Sequence, residues 1–372
     1  MKRIHWILCT VIATAGVAFF VPPDLEACSV FSLSTGDGTV MGQNLDFDYF
    51  PGYVVVNLRG VKKTILPWKG HWPDPSNRET VSWVSRYGSV TFTCYGRDFI
   101  EGGMNEAGLL VDEANLAAVY PPDDGRPGVS CPQWMQYQLD NFATVEEVIE
   151  HLDDLRPDGE GWHYLIADRS GACAVIEYQK GEAVVYTGDA VEVCAITNTT
   201  HRQALSHIPM DKAFGGDVDI AAGNDSYGRF VRMAAMMRDY EPESDGDAVT
   251  QAFRMLDAVR VENTIRSVVY DAVSARVLWK TPDNPSVKWL SFDKLDFSKN
   301  SQTKMIDVET NHAGEVSEFL VNYTPAANRT LVDAVLGPDA ENHDIIRKLK
   351  ARELTFEQAL DLIADQPWVG AR

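Results

Sequence analysis

Cys28 closes a segment built like a secretory leader: Lys2 and Arg3, an apolar run from Trp6 to Val21, and a polar end from Pro22 to Ala27. Removing residues 1–27 as a signal peptide makes Cys28 the first residue of the mature chain. A cysteine there carries a thiol nucleophile and its own base, because an α-amine with an unperturbed pKa of about 8 can take up and return a proton near neutral pH. The chemistry within reach is attack on a carbonyl through an acyl-cysteine, with no histidine required. The apolar run is too short and too lightly flanked to span a membrane.

Cys28 has two other possible uses. A small residue before cysteine also suits a lipoprotein signal, in which case the chain is a ligand-binding protein anchored through a lipidated Cys28. Asp24 and Glu26 stand against that, since lipidated cysteines follow the apolar region directly. The second use is a disulfide. Beyond the leader, Cys28, Cys94, Cys131, Cys173 and Cys194 make an odd set that accommodates up to two bridges and one free thiol, with connectivity unreadable from sequence. Export implies a periplasmic or secreted, disulfide-permissive location.

The elements around the cysteine give it a fixed geometry. Ser29–Ser34 alternates polar and apolar residues, Gly36-Asp37-Gly38 supplies a turn, and Thr39–Gly42 resumes the alternation. This predicts a hairpin whose first strand starts at Cys28, tying the nucleophile down through ladder hydrogen bonds. Further strands are predicted at 53–58, 81–94, 109–113, 162–168, 172–179, 183–187 and 193–197, and a hairpin over 265–280. Helical spacing follows a Thr144–Glu147 capping box, with Val145, Val148, Ile149, Leu152 and Leu155 on one face. It recurs at 227–239, at 247–259, and in a helical tail from about residue 330 that includes a Thr355–Gln358 box. Strands bracketing helices favour α+β layers over alternating βαβ units. With no linker, repeat or low-complexity stretch, residues 28–372 read as a single domain.

A net charge of −21, from 33 basic and 54 acidic residues, repels nucleic-acid backbones and anionic membranes. Neither a phosphate-cradling loop nor a metal-ligand spacing occurs, so the sequence calls for no cofactor and no metal. Trp68, Trp72, Trp83, Trp134 and Trp162 are available to line a pocket, although aromatic residues more often pack cores.

Beyond Cys28 the chain carries Gly42-Gln43-Asn44-Leu45-Asp46, Gly103-Met104-Asn105-Glu106-Ala107-Gly108-Leu109, Ala114-Asn115, Ile196-Thr197-Asn198, Gly228-Arg229-Phe230-Val231-Arg232 and Lys294-Leu295-Asp296-Phe297. In that order and spacing the series resembles the choloylglycine hydrolase family of N-terminal nucleophile hydrolases, which includes bile salt hydrolases and penicillin V acylases. The resemblance runs from Cys28 to about Phe297.

It implies a four-layer αββα sandwich, hydrolysis of a small-molecule linear amide of the penicillin V, conjugated bile salt or acyl-homoserine lactone type, and a homotetramer. It also implies roles. Cys28 is the nucleophile and Asp46 orients its amine; Asn198 donates to the oxyanion, with Asn115 adding a side-chain or backbone donor. Arg229 lowers the thiol pKa and holds the thiolate. Arg232, one turn on, reads as a surface or packing arginine. Gln43 stands where many members carry arginine, within reach of substrate but without charge. The same Gly-Gln-Asn-x-Asp form resembles the acyl-coenzyme A:6-aminopenicillanic acid acyltransferases, which leaves transfer to an amine open beside hydrolysis.

Overall fold

The computed structural model describes residues 28–47, 51–65, 81–93, 96–97, 99–159, 161–241, 246–337 and 355–356. The leader, Cys94, Trp68, Trp72 and most of the tail beyond residue 337 lie outside the described residues.

Alternation of side chains along β1 (Ser29–Ser34) and β2 (Thr39–Asp46) gives the hairpin two apolar faces, and both are covered. The faces differ in what covers them. Val30, Met41 and Leu45 point between two sheets, whereas Phe31, Leu33 and Val40 point outward to helices. The turn closes with the Thr35 amide donating to the Gly38 carbonyl, and Gly36 takes φ 75° there. Phe31 lies opposite Gly42, where a Cβ would stand 2.6 Å from the phenyl ring. The hairpin therefore needs glycine at 42 to seat that ring.

The first sheet runs Ala195–Ile196, β1, β2, Thr264–Asp271, Arg276–Lys280, Lys288–Ser291 and Gly314–Glu315. A second sheet of nine strands has Leu110–Asn115 near its centre, flanked by Trp162–Ala167 and Ile100–Asn105. Val30, Met41, Val268 and Trp279 of the first sheet meet Val90, Phe92, Leu165 and Val175 of the second. The outer face of the first sheet carries α3 (His201–His207), α4 (Ser226–Arg238) and α5 (Ala248–Ala258), through Phe230, Met233, Ala252 and Leu256. The outer face of the second carries α1 (Cys131–Asn141) and α2 (Val145–Glu150), through Trp134, Leu139, Val145 and Val148. This is the α+β, αββα layering that the resemblance implies. A further helix, α6 (Pro325–Leu336), marks the start of the tail.

Several local expectations change. The 81–94 run is two strands, Val81–Val84 in a small hairpin with Lys62–Ile65 and Ser89–Thr93 in the large sheet. The break comes at Ser85, whose hydroxyl donates to the Leu58 carbonyl, and at Arg86 and Tyr87, whose amides donate to the Asp140 carbonyl. At Thr144 half of the capping box forms. Its hydroxyl accepts from the Glu147 amide, but the Glu147 carboxylate takes the Ala143 amide instead, and the helix stops at Glu150, short of Leu152 and Leu155. Trp83, Trp134 and Trp162 pack in the outer layer with α1, away from the cleft between the sheets.

Candidate active site

Cys28 enters β1 with 3% of its surface exposed. Burial pushes its thiol well above the ordinary range; the charges of Glu113 and Asp46 push the same way, while the Asp46 backbone amide and Arg229 pull it down. The net direction is upward. Arg229 thus pulls the thiol in the direction the resemblance implies, and burial outweighs that pull.

Arg229 lies in the first turns of α4, which Asp225 caps by accepting from the Gly228 amide. Its guanidinium is buried and forks between strands. Nη1 donates to the Cys28 carbonyl at 2.7 Å and the Ser29 hydroxyl at 2.6 Å, and Nη2 donates to Asn198 Oδ1 at 2.9 Å. Nη1 also stands 3.7 Å from Asp46 Oδ2. Arginine suits this position because one rigid fork reaches several oxygens.

Asp46 ends β2, beside a register shift between Thr264 and Arg266 on the neighbouring strand. Its Oδ1 accepts from the Thr264 hydroxyl, while Oδ2 is buried without a hydrogen bond. Desolvation raises this carboxyl from 3.8 to about 7, against the pull of the Thr264 hydrogen bond and of Arg229 and Arg260. A buried carboxylate oxygen with one open position beside the nucleophile is suited to a cationic donor.

Asn198 stands two residues past Ala195–Ile196, which pairs with β1 at only two positions. Its amide is held on every side: the backbone N–H donates to the Ser226 hydroxyl at 2.9 Å, Oδ1 accepts from Arg229, and Nδ2 donates to the Asn115 carbonyl at 3.2 Å. Asn115, the last residue of Leu110–Asn115, thus contributes an acceptor that aims Asn198. The expectation of a donor at Asn115 is not what this contact supplies, since a carbonyl oxygen only accepts.

Gln43 is brought close to the nucleophile's face but not to an open surface. It sits opposite Val30, fully buried, with Nε2 donating to the Asp112 carboxyl and, at 3.5 Å, to the Glu101 carbonyl. Its side chain thus bridges the two sheets. Burial pushes the Asp112 carboxyl well above the usual carboxylate range, against the hydrogen bonds it accepts from the Glu113 amide, Tyr270 and Gln43. Arg232 donates to the Ala221, Ala258 and Gly223 carbonyls, as a packing arginine does.

Thr264, Ser226, Asp112 and Glu113 were not among the residues selected from sequence. The adjacent acids Asp112 and Glu113 inside an otherwise apolar strand were the available signal. Cys173 and Cys194 form a disulfide, while Cys28 and Cys131 keep their thiols.

A profile described as linear amide C-N hydrolases, choloylglycine hydrolase family, matches residues 28–307. A penicillin V acylase from Pectobacterium atrosepticum is 27% identical over 263 residues, covering 59% of this chain and 70% of that protein. The structure of a penicillin V acylase from Agrobacterium tumefaciens superposes with a TM-score of 0.69 at 27% identity, covering 80% of this chain and 98% of the other. A conjugated bile acid hydrolase from Clostridium perfringens shares the fold, with a TM-score of 0.60 at 18% identity over 77% of this chain and 98% of its own. The profile spans more than half of the chain, and it covers Cys28, Asp46, Asn115, Asn198 and Arg229: the chain belongs to the choloylglycine hydrolase family and is a hydrolase of linear amide C–N bonds.

Proposed function

We propose that the protein is an exported acylase of the penicillin V type, active once residues 1–27 are removed and Cys28 bears a free amine. The observation that carries this reading is the convergence of Arg229 on the Cys28 carbonyl and on Asn198, beside Asp46 Oδ2, which accepts no hydrogen bond. The α-ammonium of a processed Cys28 supplies the missing donor to Asp46. The substrate class follows the two penicillin V acylases at 27% identity, and the start of the family match at residue 28 supports the processing site.

In the proposed cycle the amine takes the Sγ proton as sulfur attacks the amide carbonyl. Asn198 Nδ2, aimed by Arg229 and Asn115, donates to the oxyanion of the tetrahedral intermediate. Collapse breaks the C–N bond, the ammonium passes its proton to the leaving amine, and a thioester remains. Water, deprotonated by the same amine, attacks the thioester; the acid leaves and the thiol is restored. Because burial keeps the thiol protonated, this chemistry depends on the neighbouring amine instead of a standing thiolate.

The Cys173–Cys194 disulfide supports export to an oxidising location, periplasmic or secreted. Assembly as a homotetramer completes the proposal on resemblance alone, with light scattering as its test. The central experiment compares processed protein with Cys28→Ser and with a chain that retains one residue ahead of Cys28. Release of 6-aminopenicillanic acid from penicillin V should fall by at least about 10³-fold in both. Wild-type turnover by the chain with a blocked amine would overturn the reading.

A further inference from the structure

Two ladder pairs hold Ala195–Ile196 to β1, which is little to aim a side chain two residues further on. Ser226 and Arg229 of α4 hold Thr197 and Asn198 from one side, and the other sheet anchors the segment from the opposite side. His163, fully buried on Trp162–Ala167, has Nε2 at 2.6 Å from the Thr197 carbonyl and Nδ1 at 3.3 Å from Glu177 Oε1. A carbonyl only accepts, so Nε2 carries a hydrogen, and Nδ1 meets a carboxylate that already accepts twice. Glu177 Oε1 takes the His201 amide at 2.5 Å and Oε2 takes the Gln179 side chain at 2.5 Å.

Glu177 therefore brackets Asn198 in the chain: Thr197 is reached through His163, and His201 directly. The Cys173–Cys194 disulfide ties the same strand, Cys173–Gln179, to the start of the segment. Among three ties between this strand and residues 194–201, the His163–Glu177 pair is the one acting on the peptide bond that leads into Asn198. His201 serves differently. Its Nε2 faces the Val191 carbonyl at 2.9 Å and its buried Nδ1 has no partner, which makes it a neutral ring with one donor.

We propose that His163, held by Glu177, is a positioning residue for the oxyanion donor: it fixes the 197–198 peptide so that Asn198 Nδ2 meets the transition state. This rests on the reading of Asn198 as that donor. It touches no substrate, so its loss should lower kcat while leaving KM nearly unchanged.

The test is a double-mutant cycle on the processed enzyme with penicillin V, using His163→Gln, Asn198→Ala and the combination. Asn198→Ala should lower kcat by about 10²–10³-fold. His163→Gln should lower it by about tenfold with KM within twofold, and should cost less than threefold when added to Asn198→Ala. A full tenfold loss in the Asn198→Ala background, or a loss carried by KM, would overturn the proposal. Wild-type kcat in Asn198→Ala would instead sink the reading of Asn198, a separate failure. If His163→Gln does not fold, Glu177→Gln takes its place in the cycle, keeping one acceptor oxygen and turning the other into an amide donor, with the same thresholds.

Discussion

Nη2 of Arg229 donates to Oδ1 of Asn198 at 2.9 Å, and this bond decides which end of the amide points away from the guanidinium. The end left over, Nδ2, is the only end able to stabilise an oxyanion. The arginine thus works here as an orienting fork as well as a charge, because the same guanidinium also holds the Cys28 carbonyl.

Replacing that fork by a point charge tests the idea. Arg229→Lys keeps a cation near Asp46 but cannot reach Ser29, the Cys28 carbonyl and Asn198 together. We expect kcat to fall about 100-fold and urea unfolding to show a loss of roughly 2–4 kcal/mol, as a broken buried network gives. Near-normal kcat in this variant would show that charge alone suffices.

Asp46 should make stability depend on pH. Its folded pKa of about 7 lies above the ordinary 3.8, so between those values the folded chain binds a proton that the unfolded chain has released. Stability then declines as pH rises from about 4 to 7, by up to about 4 kcal/mol, and the full cost persists above 7. Asp46→Asn should flatten this curve in a chain that keeps a residue ahead of Cys28, measured by urea melts at pH 5 and 8. In the processed enzyme the α-ammonium should remove most of the slope, and Asp46→Asn should be nearly inactive.

Gln43→Arg would place a guanidinium against the Asp112 carboxyl. It should lower the Cys28 thiol pKa by the part of its charge that Asp112 leaves uncancelled, read as several-fold faster alkylation at pH 7. The added volume in a fully buried site should cost about 1–3 kcal/mol. An unchanged alkylation rate would mean that position 43 is electrostatically remote from the sulfur.

The Cys173–Cys194 bridge closes a loop with a separation of 21 residues. Its removal by Cys173→Ala with Cys194→Ala should cost about 3 kcal/mol by chain entropy. Because the bridge lies at the root of the Asn198 segment, kcat should drop along with the melting temperature, whereas KM should hold.

The hairpin at Cys28 was legible because alternation and a Gly-Asp-Gly turn are local signals, and α4 and α5 because their apolar residues recur at helical spacing. α1 was not. Its buried face carries Gln133, Gln136, Gln138 and Asp140, which hide the periodicity, although Ser130-x-x-Gln133 with Pro132 marked its start. Asp46, Asn115, Asn198 and Arg229 were found through their order along the chain, and the fold brings Asp46, Asn198 and Arg229 to Cys28. The Gln43–Asp112 bridge and the His163–Glu177 pair were invisible, since buried polar partners far apart in sequence leave no period to read. The upward push on the Cys28 thiol is likewise a property of enclosure, which composition does not carry.

The single hydrogen bond from Asn198 to the Asn115 carbonyl spans the seam between the two sheets. An enzyme wired across that seam has no working half. A nascent chain whose sheets have yet to meet is chemically silent, and catalysis becomes a faithful reporter of docking: heat or denaturant should extinguish turnover no later than it separates the layers.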